Sequence, residues 1–293
     1  MFTLAHLSDP HLAPLPEPHW SQLLNKRITG YLHWQRTRQF VHDPAVLAKI
    51  VADLKAHKPD HVAVTGDLAN IALPDEFVRG RQWLQRLGSP QQVSVVPGNH
   101  DAYVRAGMGY AIRQWGDYMC GDHEAADFPY LRRRAPLALI GLSTAVPTAP
   151  FMATGWLGRE QLARLAEMLS ELKREPLFRV LLIHHPPVSA AKPHKRMRDA
   201  DALKRVIAEH GAELLLHGHD HVHMLNWLAG PDGTRVPAVG VPSASAAPGT
   251  SHNDAAYNLY RIDGAPGAWT CELTSRGIDD AGAIVEQRRL KLS

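Results

Sequence analysis

Thiolate chemistry is the first thing this sequence lacks. Its 293 residues hold two cysteines, Cys120 and Cys271, with no CxxC pair and no Cys–His zinc spacing. A metal site would have to be built from oxygen and imidazole donors, and two reduced thiols are expected. No apolar run approaches the roughly 18 residues of a membrane-spanning helix. Met1 to Asp9 shows no basic stretch followed by an apolar core, so no secretory leader is expected and the expected compartment is the cytoplasm. Excess charge of one sign is also missing. The formal charge is +3 and the pI about 8.9, which does not call for a nucleic-acid partner but suits a small anionic substrate. Internal repeats and low-complexity linkers are absent, and one domain over 1–293 is expected.

Histidine is what the chain has in abundance, 18 in all, and several of them close apolar runs. The run from Val93 to Val96 stops at Pro97-Gly98 and displays Asn99, His100 and Asp101. That pattern predicts a strand entering a tight turn, with Gly98 allowing close backbone approach. Four other runs end alike. Phe2 to Leu7 leads to Ser8-Asp9-Pro10-His11, His61 to Thr65 to Gly66-Asp67, Phe178 to Ile183 to His184-His185-Pro186-Pro187, and Ala212 to Leu216 to His217-Gly218-His219-Asp220-His221.

Helices are predicted between these strands. Asp43-Pro44 supplies a cap and a first-turn proline for a stripe of Val46, Leu47, Ile50, Val51 and Leu54. Further helices are predicted over Asp75 to Leu87 with Gly88 as a left-handed stop, over Gly158 to Lys173, and over Asp201 to His210 before Gly211. Residues 12–42 differ: prolines 14, 16 and 18 precede a mixture of aromatic, apolar and basic residues at roughly helical spacing. They read as a helical insertion, either a lid or a surface element, and a peripheral membrane contact through 20–40 is the sharper alternative. The Arg132-Arg133-Arg134 run reads as a solvated face. After residue 222 strand-like runs dominate, at Met224 to Leu228, Arg235 to Val241, Ala256 to Ile262 and Ala268 to Thr274. This 222–293 portion is expected to complete a second sheet, with a homodimer contact as a further option.

Open α/β sheets bind ligands beyond the carboxyl ends of their strands. Gathered there, these carboxylates, imidazoles and the Asn99 amide are too many donors for one cation and enough for two. They suit Mn²⁺, Fe²⁺/Fe³⁺ or Zn²⁺. Two such ions ~3.5–4 Å apart can clamp both oxygens of a phosphoryl transfer. Asp67, alone on its strand end, is the natural bridging carboxylate.

In order along the chain, Asp9-x-His11, Gly66-Asp67, Gly98-Asn99-His100-Asp101, His184 and Gly218-His219-x-His221 resemble the motifs of the calcineurin-like metallophosphoesterases. With His184-His185-Pro186-Pro187 the chain looks most similar to the bacterial class III cyclic-nucleotide phosphodiesterase branch. The resemblance implies an α/β fold, a four-layer α/β/β/α sandwich of two mixed sheets flanked by helices, with a mainly β C-terminal portion. It implies Asp9, His11, Asp67 and His221 on one ion, and Asp67, Asn99, His184 and His219 on the other. His100 would then touch the phosphoryl oxygen or protonate the leaving group. Asp101 would orient the His100 ring or cap a helix, and His185 and His217 are expected to be supporting residues.

The activity implied is hydrolysis of phosphodiesters, cyclic nucleotides or other small diesters, by attack of a metal-bound hydroxide. A diester is preferred also because no cluster able to hold a dianionic monoester is evident. Two other readings stay open. One is a pyrophosphatase acting on a nucleotide-linked lipid such as UDP-diacylglucosamine, which the 12–42 segment would suit. The other is a non-catalytic scaffold of the same fold.

Overall fold

Apolar runs that stop at Gly, Pro or Asp become the strands, and helices start where a cap or a proline permits. The structure, a computed structural model, describes residues 1–122, 125–250 and 253–293. In chain order the elements are β1 (Phe2–Leu7), α1 (Arg27–Arg36), α2 (Pro44–Ala56), β2 (His61–Val64), α3 (Pro74–Leu87), β3 (Val93–Val95), α4 (Gly107–Trp115), β4 (Tyr130–Arg134) and β5 (Leu137–Gly141). They continue with α5 (Arg159–Leu172), β6 (Phe178–Leu182), α6 (Ala200–His210), β7 (Leu214–His217), β8 (Met224–Ala229), β9 (Arg235–Gly240), β10 (Ala256–Asp263), β11 (Thr270–Ile278) and β12 (Ile284–Lys291).

Two mixed six-stranded sheets result, ordered β12-β11-β10-β1-β2-β3 and β4-β5-β6-β7-β9-β8. In the first, β1, β2 and β3 run parallel. In the second, β5, β6, β7 and β9 run parallel. One buried cluster joins residues of both sheets with α2 and α3, through Leu4, Val64, Leu47, Phe77, Leu139 and Leu182. A second lies between the second sheet and α5 and α6, through Ile140, Leu181, Leu165, Leu169, Leu203 and Ile207. Each such side chain contributes roughly 1.5–3 kcal/mol by leaving water.

The sheets meet where their parallel strands end. Ser8 bridges to Ser243, Ser243 Oγ donates to the Asp9 carbonyl at 2.6 Å, and Ala244 N donates to the Ser8 carbonyl at 2.9 Å. These short links hold the polar end of β1 against the segment after β9, and so join the two sheets without using the metal-ligand side chains.

Local signals hold at α2, where Asp43 Oδ1 accepts from Ala45 N at 2.7 Å and Pro44 opens the first turn. Elsewhere tertiary contacts prevail. Gly88 follows α3 with φ 176°, an extended geometry, so it is not a left-handed stop. The C-terminal strands do not simply complete the second sheet: β8 and β9 join it, but β10, β11 and β12 extend the first. Cys120 and Cys271 are free thiols. Among the described residues no helix is long and apolar enough to cross a membrane.

The arginine triplet is a solvated face only in part: Arg133 is exposed and Arg134 half-buried. It forms β4, paired antiparallel with β5, and Arg132 is buried. Its guanidinium donates to the carbonyls of Cys120 and Asp117 at 2.7 Å each, of Val93 at 2.7 Å and of Pro90 at 2.6 Å. Burial of the charge is tolerated because these carbonyls saturate it. Arg132→Leu strands those acceptors, and should lower stability by about 2–4 kcal/mol in urea titrations. Arg133→Ala, at an exposed pair with Glu175, should shift it by less than about 1 kcal/mol.

Candidate metal centre

Five of the seven residues nominated as metal ligands adopt a backbone that side-chain-bearing residues avoid. Asp9, His11, Asp67, His219 and His221 have φ of 52°, 36°, 56°, 70° and 53°. Asp and His tolerate this region better than most residues, yet each instance costs of order 1 kcal/mol or more. The gain is direction, since each strand end turns its donor inward. Two glycines make room: a Cβ on Gly98 would collide with the Asp67 carboxylate, and one on Gly218 with Ser8 and Asp9.

The donors converge in overlapping groups. Asp9, His11 and His221 form one, and Asp9, Asp67 and His184 another, each with ligand atoms within 4.8 Å of one another. His221 Nε2 lies 3.1 Å from Asp9 Oδ1, and His11 Nε2 lies 3.4 Å from His221 Nε2 and 3.9 Å from Asp67 Oδ2. His184 Nε2 lies 3.3 Å from Asp67 Oδ2 and 3.2 Å from Asn99 Oδ1. Backbone carbonyls hold the far nitrogens: Ala69 takes His11 Nδ1 at 3.2 Å, and Thr65 takes His184 Nδ1 at 2.7 Å. A donor at Nδ1 leaves Nε2 facing the cluster, the usual arrangement behind a metal-bound imidazole.

His219 meets its expected neighbour His184 but also engages a backbone carbonyl. It gathers with His184 and His185, and its Nε2 meets the Lys195 carbonyl at 2.7 Å. Its backbone N donates to Asp9 Oδ2 at 3.0 Å, which still ties it to the shared carboxylate. His185 is held by Thr144 Oγ1 at 2.7 Å and the Ala153 carbonyl at 3.1 Å. His184 is therefore the member of the pair that reaches Asp67.

Asp101 neither orients the His100 ring nor caps a helix. Its carboxylate accepts from the backbone N of Asp67 at 2.9 Å, Ala69 at 2.9 Å and Gly98 at 2.8 Å. It is the pin of the two ligand loops, and the His100 ring is held instead by the Asn70 carbonyl at Nδ1. The backbone of Asn70, Ile71 and Leu73 is pinned in turn by the buried Glu76 carboxylate.

Electrostatics explain why a cation fits. Burial pushes the Asp67 carboxyl up, but the charges of His184 and His100 outweigh it and bring it to about 2. Asp9 is likewise held well below the carboxylate range: burial opposes this, and His221 and His184 overcome it. His184 shows the converse, since burial lowers it but Asp67 and Asp9 raise it to about 10. Burial keeps His11 neutral and brings His219 down to about 4, leaving ring lone pairs for a metal. Ionised carboxylates, imidazoles and an amide oxygen in one buried cluster match the donor set of hard-to-borderline divalent ions, and a bound cation would take the place of the His184 proton.

The centre opens into a pocket of about 800 Å³. The 12–42 segment packs on the domain and also walls this pocket. Arg27 anchors it, donating to the carbonyls of Ile71, at 3.1 Å, and Ala72. Three pocket residues had no motif to announce them. Arg38 Nη1 lies 3.0 and 2.9 Å from the two ring nitrogens of His100, His42 packs on His11 with ring centroids 4.4 Å apart, and Tyr103 stacks on His100. Asn70 Oδ1 is buried, and no hydrogen-bond partner meets it among the described residues.

Residues 2–223 match the profile of the family described as calcineurin-like phosphoesterase. The chain is 28% identical over 178 residues to a probable cyclic nucleotide phosphodiesterase of Synechococcus sp., covering 59% of this chain and 62% of that protein. It is 29% identical over 187 residues to a glycerophosphodiester phosphodiesterase of Enterobacter lignolyticus, covering 63% of this chain and 57% of that one. The match thus spans less than two thirds of either relative. In fold the chain is similar to a dimetal phosphatase from Danio rerio, with TM-score 0.62, 12% identity, and 100% and 98% of the two chains covered. A purple acid phosphatase from yellow lupin seeds gives TM-score 0.58 at 13% identity over 97% of this chain and 52% of that one.

The shared position of Asp67 and Asp9 has a measurable consequence. Titration with Mn²⁺ should load two ions per chain. Asp67→Asn should lower the affinity of both by about tenfold or more, whereas His217→Gln, outside the cluster, should leave both unchanged. Isothermal titration calorimetry with elemental analysis reads both.

Proposed function

Because the chain belongs to the calcineurin-like phosphoesterase family, we propose that it hydrolyses phosphodiesters at a two-metal centre held by Asp9, His11, Asp67, Asn99, His184, His219 and His221. The observation that carries this reading is the pair of donor groups that share Asp9, one completed by His11 and His221, the other by Asp67 and His184. The two curated relatives, both named as phosphodiesterases, support the reaction class. Mn²⁺, Fe²⁺/Fe³⁺ or Zn²⁺ held there would supply charge neutralisation at the phosphoryl group and an activated water near neutral pH.

The chain's own residues do the rest. Asp101 and Glu76 fix the ligand loops through backbone N–H groups, so the donors are preorganised. His100 stands beside Asp67, whose Oδ1 accepts from the His100 backbone N at 2.8 Å. Burial and the neighbouring Arg38 charge bring its imidazole down to about 3, so it is neutral in the resting protein. It meets the substrate as a hydrogen-bonding group, and the negative charge of a bound phosphate is what draws a proton to it. Arg38 offers its N–H donors to the same oxygens. The pocket walls, Tyr103 and Met152 among them, limit water around the reacting group.

With Mn²⁺ the protein should hydrolyse bis(p-nitrophenyl) phosphate. His100→Ala should retain both ions and lose about 10²–10⁴ in kcat. Loss of metal in that variant, or unaltered turnover, would remove His100 from the role assigned to it.

A further inference from the structure

The 12–42 insertion brings two cations into the pocket that no carboxylate among the described residues pairs with. The hydrogen bonds of Arg38 go to imidazoles, His100 at 2.9–3.0 Å through Nη1 and His42 Nε2 at 3.4 Å through Nη2, while the Asp67 and Asp9 carboxylates act on its charge through space. Lys26 Nζ donates to Thr148 Oγ1 at 2.9 Å and to the Met152 carbonyl at 3.3 Å, and lies 4.3 Å from the centroid of the Tyr103 ring. An ammonium has three N–H donors, so one remains for the pocket. Lys26 is half-buried, and that burial lowers its pKa to about 8. Half-burying a lysine without an acidic partner is costly, and an anionic ligand offsets that cost.

The two cations flank one stacked pair. Arg38 touches the His100 ring, Tyr103 stacks on that ring with centroids 5.7 Å apart, and Lys26 sits over Tyr103. Arg38 is therefore at the reacting group, and Lys26 is one aromatic ring farther out. Lys195 and His194 also line the pocket, and the acidic residues lining it are Asp67 and Asp220. Asp220 is engaged by Ser189 Oγ at 2.7 Å. A single phosphodiester carries one negative charge, which is less than this wall accommodates. A pocket of about 800 Å³ is also larger than one phosphodiester group needs.

We propose that Lys26 forms an anion subsite one aromatic ring out from Arg38, and that the substrate carries a second phosphate besides the ester that is cleaved. Phe151 and Met152 line the same pocket beside Lys26. Phe151 is 83% exposed and has φ 63°, a strained geometry for an aromatic residue. These two side chains suit the organic portion that links the two phosphates. The inference rests on the phosphodiesterase reading and names the substrate class of that site.

The experiment compares two substrates that differ by one group, with the full-length Mn²⁺-loaded protein. They are the p-nitrophenyl ester of thymidine 5′-phosphate and the same ester bearing a 3′-phosphate. The wild type should favour the 3′-phosphorylated ester by about tenfold in kcat/KM, and Lys26→Gln should erase most of that preference. Lys26→Arg, which keeps the charge, should retain it. Equal kcat/KM for the two esters in the wild type, or a preference untouched by Lys26→Gln, overturns the subsite. Calorimetric binding of adenosine 3′,5′-bisphosphate against adenosine 5′-phosphate separates this from failure of the catalytic reading. A tighter bisphosphate that Lys26→Gln weakens upholds the subsite even where no ester is turned over. Equal affinities refute it.

Discussion

Two carboxylates with very little access to water, Asp9 and Asp67, are the constraint to which the rest of the structure answers. Ionised groups so placed are tolerated only when cations or N–H donors surround them. The His184 imidazolium supplies the first, and the backbone of His100 and His219 supplies the second. The left-handed turns at Asp9, His11, Asp67, His219 and His221 follow from the same demand. An extended chain would send these side chains to alternate faces of a sheet, and only a sharp turn directs them to one point.

The two-sheet architecture is what makes that point possible. One sheet supplies Asp9, His11, Asp67 and Asn99 from the ends of three parallel strands, and the other supplies His184, His219 and His221. Neither half has enough donors for two cations. Ser243 Oγ on the Asp9 carbonyl and Ala244 N on the Ser8 carbonyl set the spacing of the two sheets without using the ligand side chains. Asp101 adds a third control. Burial and the Asp67 charge raise its carboxyl to about 7, so it is costly to keep there. Three backbone donors hold it in place and lock the loops that carry Asp67 and Asn99 together.

Much of this was legible because the chemistry and the turn signals coincide in sequence. Gly66-Asp67 and Gly98-Asn99-His100-Asp101 couple a strand stop to a donor within four residues, and no long-range knowledge is needed to read them. Three things were not legible. Arg132 looks like its neighbours in a basic run, yet its burial is decided by carbonyls of Pro90, Val93, Asp117 and Cys120, which local pattern does not reveal. Asp101 beside His100 suggests a side-chain pair, but the turn sends its carboxylate to backbone N–H groups. The strands after residue 254 carry no mark of which sheet they join, because alternating apolar patterns fit either edge.

The insertion is the case where sequence and structure differ in kind. Its aromatic and basic mixture fits a lid, a surface helix or a membrane contact equally well, and composition cannot choose. The contacts of Arg27 show where it is held. By donating to the carbonyls of Ile71 and Ala72, it fastens α1 to the stretch that follows Asp67, beside the ligand loop. Leu24, Ile28 and Leu32 remain exposed, while Lys26, Thr29, Gly30 and His33 line the pocket. Within α1, Ile28 and Leu32 face solvent while Thr29, Gly30 and His33 line the pocket and Trp34 is buried, in part the reverse of an ordinary surface helix. The metal-ligand motifs place the chain in its family, and the pocket above them is walled by a segment that those motifs do not include.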